Sequence, residues 1–405
     1  MKTVPAALSL LAGLAAQDFS QRGYLETRAV VYPQKAPGDS GRGVVESLLR
    51  WEASYKITPG LVLFGSIDAR ADSHRQTRRE ARLDWRDRTL ERPAFSLRRL
   101  SAQYHRGGFT AEFGKQFIRW GNADILNPTD RFAPRDYLGV VDAEVLGVTA
   151  ARLSYETGGD TFDVVWSPWF TPSRTPLVNQ RWTVTPEALA PFRLRDLGAR
   201  LPGRSQFGAR WNHVGGRHEY SAVFYDGFHH LPLFEGRIAS TDTLVFQRFY
   251  PRLRLYGADA AMPLPWFTLK GEAAWFTSST RQADEYLLYV VQLERTRGEW
   301  VLVGGYAGEI VTARRNPLGF APDRGFTRAF LGRAAYTIDP RRGIVFEAAV
   351  RRNGDGTWLK SEYSEQIGVH WRATASFTWI RGDAADFLGQ FHRNSHAMLA
   401  LRYSF

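Results

Sequence analysis

Polar and apolar residues alternate along most of this 405-residue chain, as they do in a strand whose two faces meet different surroundings. In the stretch 44–57, Val45 and Trp51 share one face, and Glu46 and Arg50 share the other. Such segments recur, and each is long enough to cross a bilayer as a tilted strand of roughly 9–11 residues. We predict eighteen strands, at residues 19–32, 44–57, 61–72, 95–106, 109–120, 145–157, 160–168, 205–214, 217–227, 250–262, 266–279, 284–295, 298–312, 326–338, 342–352, 361–372, 373–382 and 394–405.

The connections between these segments are of two kinds. Every second connection is a tight turn, usually at Gly or Pro, as at Gly107-Gly108, and residues 372–374 are expected to form the turn after the sixteenth strand. Most of the other connections are long, above all 72–94, 121–144 and 169–204. This sorting predicts an all-β fold, a transmembrane antiparallel β-barrel of about 18 strands (16 as the alternative) with short periplasmic turns and long extracellular loops. A soluble propeller or solenoid would repeat with a fixed period, which this sequence lacks.

Both ends of the chain carry features of export. Residues 1–16, MKTVPAALSLLAGLAA, combine an early lysine with an apolar stretch and small residues, as a secretory signal peptide does. Residues 17–405 are then expected to form the barrel. The closing strand resembles that of bacterial outer-membrane barrels, and we predict that Tyr403 and Phe405 are the signal that the barrel-assembly machinery reads. The expected location is the bacterial outer membrane, with its lipid and lipopolysaccharide around the exterior.

The polar faces of the strands are expected to line the lumen, because Arg or Lys on the lipid face would cost roughly 2–4 kcal/mol near the midplane. Arg50, Arg99 and Arg351 are predicted on this wall, where they set ion selectivity or form ion pairs. Their expected carboxylate partners are Glu46, Glu52 and Glu347.

The formal net charge of +12 has two interpretations. Arginines of the loop 72–94 are expected to contact the phosphates of anionic lipid headgroups. Arginines that point inward would instead make a pore favour anions. Nucleic acid is not an expected partner, because an exported barrel has no routine access to it.

The sequence contains no convincing catalytic or metal-binding constellation. Ser395 and His396 are adjacent, but they point to opposite faces of a strand and cannot form the hydrogen bond between a nucleophile and its base. No His or carboxylate pair has convincing metal-ligand spacing. We therefore expect no enzyme activity, no metal site and no cofactor.

The stretch FTAEFGKQFIRWG, residues 109–121, breaks the alternation. Strict alternation would place Lys115 on the lipid face, and a shift by one residue would place Glu112 there. A β-bulge at Gly114 would reset the alternation. The side chains then expected in the lumen are Glu112, Lys115 and Arg119. Those then expected on the lipid face are Ile118 and Trp120, with Trp120 in the outer aromatic girdle.

The following loop, 121–144, is too apolar for an idle surface loop. Phe132 and Leu138 require burial, and the corner Asn127-Pro128 can redirect the chain. We predict that the loop folds into the lumen as a constriction, where opposed charges would set ion preference. The alternative is a lid packed over the barrel rim. The residues predicted to line the constriction are Glu112, Lys115, Arg119, Asp130, Arg131, Arg135 and Asp136.

Residues 114–130, GKQFIRWGNADILNPTD, resemble a motif of a large family of porin-like bacterial outer-membrane proteins. A similar stretch occurs in alginate-export-type barrels. The resemblance implies a large barrel that serves passive transport or the traffic of lipids or hydrophobic compounds. The positions that match the motif are Gly114, Gln116, Trp120, Gly121, Asn127, Pro128 and Asp130.

Eighteen strands would enclose a cross-section wide enough for a channel. The sequence therefore predicts an outer-membrane porin-like channel for the passive passage of small polar solutes, with anions as the expected class. One alternative is an outer-membrane component of an export pathway for lipid, polysaccharide or hydrophobic compounds. Another is a non-conducting scaffold whose lumen is plugged by the loops 121–144 and 169–204.

Overall fold

Eighteen antiparallel strands form the wall of a closed barrel, which confirms the predicted fold class and strand number. The computed structural model describes residues 18–178, 180–185, 189, 191–315 and 321–405. The expected signal peptide, residues 1–16, lies outside the described residues. The barrel strands are β1 (Phe19–Val31), β2 (Gly43–Thr58), β3 (Leu61–Asp72), β4 (Arg92–Arg106), β5 (Phe109–Gln116), β6 (Val148–Thr157), β7 (Asp160–Ser167), β8 (Gln206–Val214), β9 (Glu219–Phe228), β10 (Arg252–Pro263), β11 (Thr268–Thr277), β12 (Glu285–Arg297), β13 (Trp300–Ala313), β14 (Ala329–Asp339), β15 (Arg342–Arg351), β16 (Gly356–Ile367), β17 (Trp371–Gly382) and β18 (His396–Ser404).

The barrel closes where its first strand meets its last. β1 pairs with β2 on one side and with β18 on the other, in a register that runs from Tyr24 opposite Ser404 to Val31 opposite Ala397. A closed ring leaves no strand edge facing lipid, where unpaired backbone groups would find no hydrogen-bond partner. In the part of the chain that the structure describes, no helix is long and apolar enough to cross a membrane.

The two faces of the wall differ in polarity. Leu49, Phe346 and Leu399 are exposed on the outside, whereas Glu26 and Arg50 are buried on the inside. An apolar exterior around a polar interior is the architecture of bacterial outer-membrane barrels.

Short connections lie at one end of the barrel and long ones at the other, as the sequence predicts. The turn after β16 lies at residues 368–370, however, and not at the predicted 372–374. The pairing of β16 with β17 starts at Gly356 opposite Gly382 and ends at Ile367 opposite Trp371. Val369 is 83% exposed at the tip of this turn, although its apolar side chain fits the alternation of a strand.

A loop supplies part of the barrel wall. β5 ends at Gln116, so the part of β4 near Arg92 lacks it as a neighbour. The strand Thr77–Asp84, from the loop 73–91 that we call the wall loop, pairs in parallel with this part of β4 and places Leu83 opposite Phe95. The wall loop therefore supplies the neighbouring strand for the part of β4 that β5 does not reach.

Two other long loops build a small sheet outside the wall. Its strands are Arg193–Arg200, Thr243–Phe249 and Leu233–Ser240, in that spatial order.

Candidate functional site

Residues 117–147, which we call the lumen loop, cross the interior of the barrel. Thr129 donates two hydrogen bonds to the carboxylate of Glu272 on β11, one from its amide and one from its hydroxyl, both at 2.8 Å. The amide of Ala123 donates to the same carboxylate at 3.2 Å. One side of the lumen loop is thus held against β11.

Arginines of other strands hold the far part of the lumen loop. Glu144 accepts hydrogen bonds from Arg50 on β2 and Arg70 on β3, each at 2.6 Å, and Asp136 accepts one from Arg92 on β4 at 2.9 Å. Burial alone would raise the pKa of Glu144, but Arg70 and Arg50 hold it below its usual range. The lumen loop therefore spans the barrel from β11 to β2–β4.

Ile118 and Trp120 point into the barrel, so their predicted place on the lipid face is wrong. Trp120 is 2% exposed, its indole nitrogen donates to Asp163 on β7 at 2.9 Å, and its ring meets Phe132 edge-on at 5.3 Å. The prediction failed because it relied on a bulge at Gly114. β5 pairs through Gly114 without a bulge, and strict alternation then directs Ile118 and Trp120 to the lumen side.

The predicted bulge at Gly114 is also absent. β5 pairs with β4 and β6 without interruption through Gly114, and the irregularity lies instead on β4, at Arg98. Lys115 is 4% exposed and donates a hydrogen bond to the carboxylate of Asp87 in the wall loop. A buried carboxylate thus neutralises the lysine that strict alternation would expose to lipid.

Asp87 belongs to a longer chain of buried charges. Arg174 donates to Asp87 at 2.8 Å and to Asp136 at 3.2 Å, and Asp136 also binds Arg92. Burial alone would raise the pKa of both carboxyls, but the arginines, with Lys115 at Asp87, lower it, to about 2 for Asp136. These five residues, which we call the buried ion network, connect the wall loop to the lumen loop.

The residues predicted to line a constriction have separate roles. Glu112 is buried against Arg99 at 2.8 Å, and Arg119 lies 3.6 Å from Asp130. The charges of the loop were expected to face Glu112, Lys115 and Arg119. Of the possible ion pairs between these two groups, the described residues form the one between Arg119 and Asp130. The others find different partners: Lys115 and Asp136 in the buried ion network, and Arg131 near Asp323 at 3.5 Å.

The three arginines predicted on the lumen wall have partners other than the expected ones. Arg50 makes a two-point contact with Asp68 at 2.7 and 2.8 Å, and Arg351 binds Asp386 at 2.9 Å. With Glu112 at Arg99, these carboxylates replace the expected Glu46, Glu52 and Glu347. Arg50 lies directly opposite Asp68 in the pairing of β2 with β3, a register that alternation alone does not reveal.

The motif residues turn the chain out of the wall and dock it. Gln116 is fully buried and donates to the carbonyl of Ala150 at 3.0 Å. Gly121 has a φ of +95°, and a Cβ there would lie 2.6 Å from the carboxylate oxygens of Glu272. Asp130 accepts a hydrogen bond from the amide of Trp120 at 3.2 Å. Glycine is required at position 121 both by the backbone and by the close approach to Glu272.

Between the lumen loop and the wall lies a cavity of about 680 Å³. Asn127 and Pro128 of the motif line it, while Leu253 and Leu288 give one side an apolar surface. The cations that line it are Arg28, Arg70, Arg92, Arg131, Arg135, Lys360 and Arg402. The carboxylates that line it are Glu26, Glu46, Asp130, Asp142, Glu144, Asp323 and Glu362.

The cavity is lined by as many cations as carboxylates, but the individual charges are not all paired. Within the described residues, no carboxylate lies within ion-pair distance of Arg135. Burial raises the pKa of Asp130, although Arg135 and the amide of Trp120 act against it. Burial also lowers the pKa of His229 and His230 to about 4, so both are neutral near pH 7. The cavity therefore contains one cation without a direct partner and one carboxylate that is prone to protonation.

In a second loop, 168–205, Arg181 and Trp182 contact other segments at the end of the barrel that carries the long loops. Arg181 lies over the ring of Tyr32 at 3.6 Å and donates to Asn394 at 3.1 Å. Trp182 packs against Phe391, with ring centres 5.5 Å apart. These contacts join a loop that follows β7 to segments beside β1 and β18, so the loop narrows this opening.

The two aromatic residues predicted as an assembly signal lie at the short-turn end. Tyr403 packs against Trp371, with ring centres 5.0 Å apart. Phe405 is 53% exposed, and its amide donates to the carbonyl of Gly23 at 3.0 Å.

The sequence patterns gave no prediction for four residues that hold the loops, Glu272, Glu144, Asp87 and Arg174. Lys270 and Glu272 alternate with apolar residues along β11, and that pattern could have placed Glu272 in the lumen. Across the described residues, no group of three or more His, Asp or Glu side chains is arranged to hold a metal ion.

The chain matches no protein-family model, and no curated protein matches it. Solved structures match over 96% of this chain and 98% of their own. They include OccAB4 of Acinetobacter baumannii (10% identity, TM-score 0.58) and a BenF-like porin from Pseudomonas fluorescens Pf-5 (10%, 0.56). A third is OccK2 (OpdF) of Pseudomonas aeruginosa, solved in complex with glucuronate (11%, 0.56). This chain therefore has the fold of outer-membrane porins.

Proposed function

We propose that this protein is a porin-like channel of the bacterial outer membrane through which small polar solutes, preferentially anions, diffuse. The observation that carries the proposal is the cavity of about 680 Å³ that the lumen loop leaves beside a wall of charged side chains. Solutes that pass such a wall exchange part of their hydration for contacts with fixed charges, which is how pores discriminate.

Three observations support the preference for anions. Arg135 faces the cavity, and no carboxylate of the described residues lies within ion-pair distance of it. Protonation of Asp130, whose pKa is raised by burial, would shift the formal balance toward positive charge. In addition, the similar OccK2 was solved with glucuronate, which is itself an anion.

Single-channel recording of the purified full-length protein in a planar bilayer under a potassium chloride gradient tests the proposal. We expect an ohmic current whose reversal potential indicates a preference for chloride. Absence of current would support a scaffold plugged by the lumen loop and the loop 168–205, and a preference for potassium would contradict the proposed charge class.

A matched pair of variants identifies the residue responsible. Arg135→Gln should shift the reversal potential toward that of potassium. Arg237→Gln removes the same charge from an exposed position on the outer sheet and should leave the reversal potential unchanged. Equal reversal potentials in wild type and Arg135→Gln would remove Arg135 from the mechanism.

A further inference from the structure

The outside of the barrel carries an apolar groove of about 910 Å³ across β12–β17. Its side walls include the outward side chains of Leu293, Phe346 and Trp379. Charged residues of these strands, such as Glu294 and Lys360, point the other way, into ion pairs of the lumen. The groove is therefore a feature of the lipid-facing surface.

Small residues in one row form the floor of the groove. Gly304 of β13 lies opposite Gly332 of β14, and Gly332 lies opposite Ala348 of β15. A Cβ on Gly304 would meet no atom within 4 Å, and one on Gly332 would meet only a backbone oxygen at 3.8 Å. The depression exists because these positions lack side chains.

A positively charged side chain, that of Arg295, lies at one end of the groove. Arg295 of β12 lies one outward row nearer to the short-turn end than Leu293, and its guanidinium lies over the ring of Trp266 at 5.5 Å. Within the described ranges, no carboxylate lies at ion-pair distance from Arg295. An arginine beside a tryptophan at the edge of the apolar belt is suited to a lipid phosphate.

We propose that this groove binds a glycerophospholipid of the periplasmic leaflet, with one acyl chain over the Gly304–Gly332–Ala348 floor and the phosphate on Arg295. The position of Arg295, two residues before the end of β12 at the short-turn side, assigns the leaflet. Lipopolysaccharide belongs to the opposite leaflet, and a second copy of this chain would bring no phosphate to Arg295.

Native mass spectrometry of the full-length protein in detergent, titrated with dioleoylphosphatidylglycerol, tests this site. Arg295→Ala should weaken binding about tenfold, because it removes a charge-assisted hydrogen bond. The double substitution Gly304→Leu, Gly332→Leu should weaken it to a similar extent by filling the floor. Both glycines face open space, so the variant should fold. A heat-dependent shift of its electrophoretic mobility, as for the wild-type barrel, will verify this.

Two control variants make the same changes elsewhere on the outer face. Gly65→Leu fills another position where a Cβ meets nothing within 4 Å, and Arg106→Ala removes an exposed arginine at the end of β4. Neither should alter binding. The proposal is overturned if the controls weaken binding equally or if the groove variants bind phosphatidylglycerol like the wild type. It is also overturned if the groove variants lose only the binding of lipopolysaccharide, or if they change the oligomeric mass of the protein without changing lipid binding.

Discussion

Thr129 and Glu272, 143 residues apart in sequence, are joined by two hydrogen bonds of 2.8 Å across the lumen. The same carboxylate accepts the amide of Ala123. Replacing Glu272 with Ala would leave these buried donors without a partner, which costs about 1–3 kcal/mol each when water cannot reach them.

We expect Glu272→Ala to release the lumen loop from β11 and to make the channel conductance larger and noisier. Single-channel recording measures both properties. Glu299→Ala, in the short turn between β12 and β13, is the control and should conduct like the wild type. A quiet, unaltered current in Glu272→Ala would mean that other contacts suffice to hold the loop.

Breaking the buried ion network should free the wall loop. Asp87→Asn leaves Lys115 and Arg174 without their shared carboxylate, and removing one partner of a buried pair costs about 3–5 kcal/mol. We expect faster cleavage by trypsin at Arg86 and Arg88 in intact cells. Glu80→Gln, which removes an exposed pair with Arg78, should leave the cleavage rate as it is, because such pairs contribute little.

The same network should tolerate acid. The pKa of Asp136 is lowered to about 2, so its stabilising effect is present above the unfolded pKa of about 3.9 and is lost as the pH falls through the folded pKa. Wild-type protein should therefore resist trypsin after exposure to pH 4 and lose this resistance only near pH 2. Loss already at pH 5 would show that a different group controls the loop.

The ion preference should depend on pH through Asp130. Because burial raises the pKa of this carboxyl, a fall in pH protonates it before the ordinary carboxylates and removes a negative charge from the cavity. We expect chloride selectivity to increase as the pH falls, as measured by reversal potential. Asp130→Asn removes the titrating carboxyl and should lose most of this dependence. A similar pH dependence in wild type and variant would exclude Asp130 as the titrating group.

Assembly should depend on the last residue. Deleting Phe405 removes an exposed ring and the backbone bonds to Gly23 that extend the closing pair of strands. We expect less heat-modifiable barrel in the outer membrane and an unchanged amount of exported chain in the periplasm. Phe405→Tyr keeps the ring and the backbone, and it should assemble like the wild type.

Alternation predicted the barrel well because each strand residue faces either lipid or lumen. It placed Leu49 outside and Arg50 inside, where the structure has them. The prediction for Trp120 failed because an expected bulge at Gly114 reversed the alternation, and β5 has no such bulge.

The ion-pair partners of strand residues were harder to predict than the face of the barrel wall on which each residue lies. Arg50 meets Glu144, 94 residues away, because the lumen loop turns back across the barrel. Such a contact depends on the path of the loop, and local patterns contain no information about that path. The expected partner Glu46 was nearby in sequence but is not the residue that Arg50 contacts.

The strand Thr77–Asp84 has a consequence for evolution. Since it closes the wall beside β4, a deletion in the loop 73–91 would open the barrel to lipid. The segments that form the outer sheet close no part of the wall. We therefore expect homologous chains to vary in the length of the loops that form the outer sheet and to keep the length of the segment between β3 and β4.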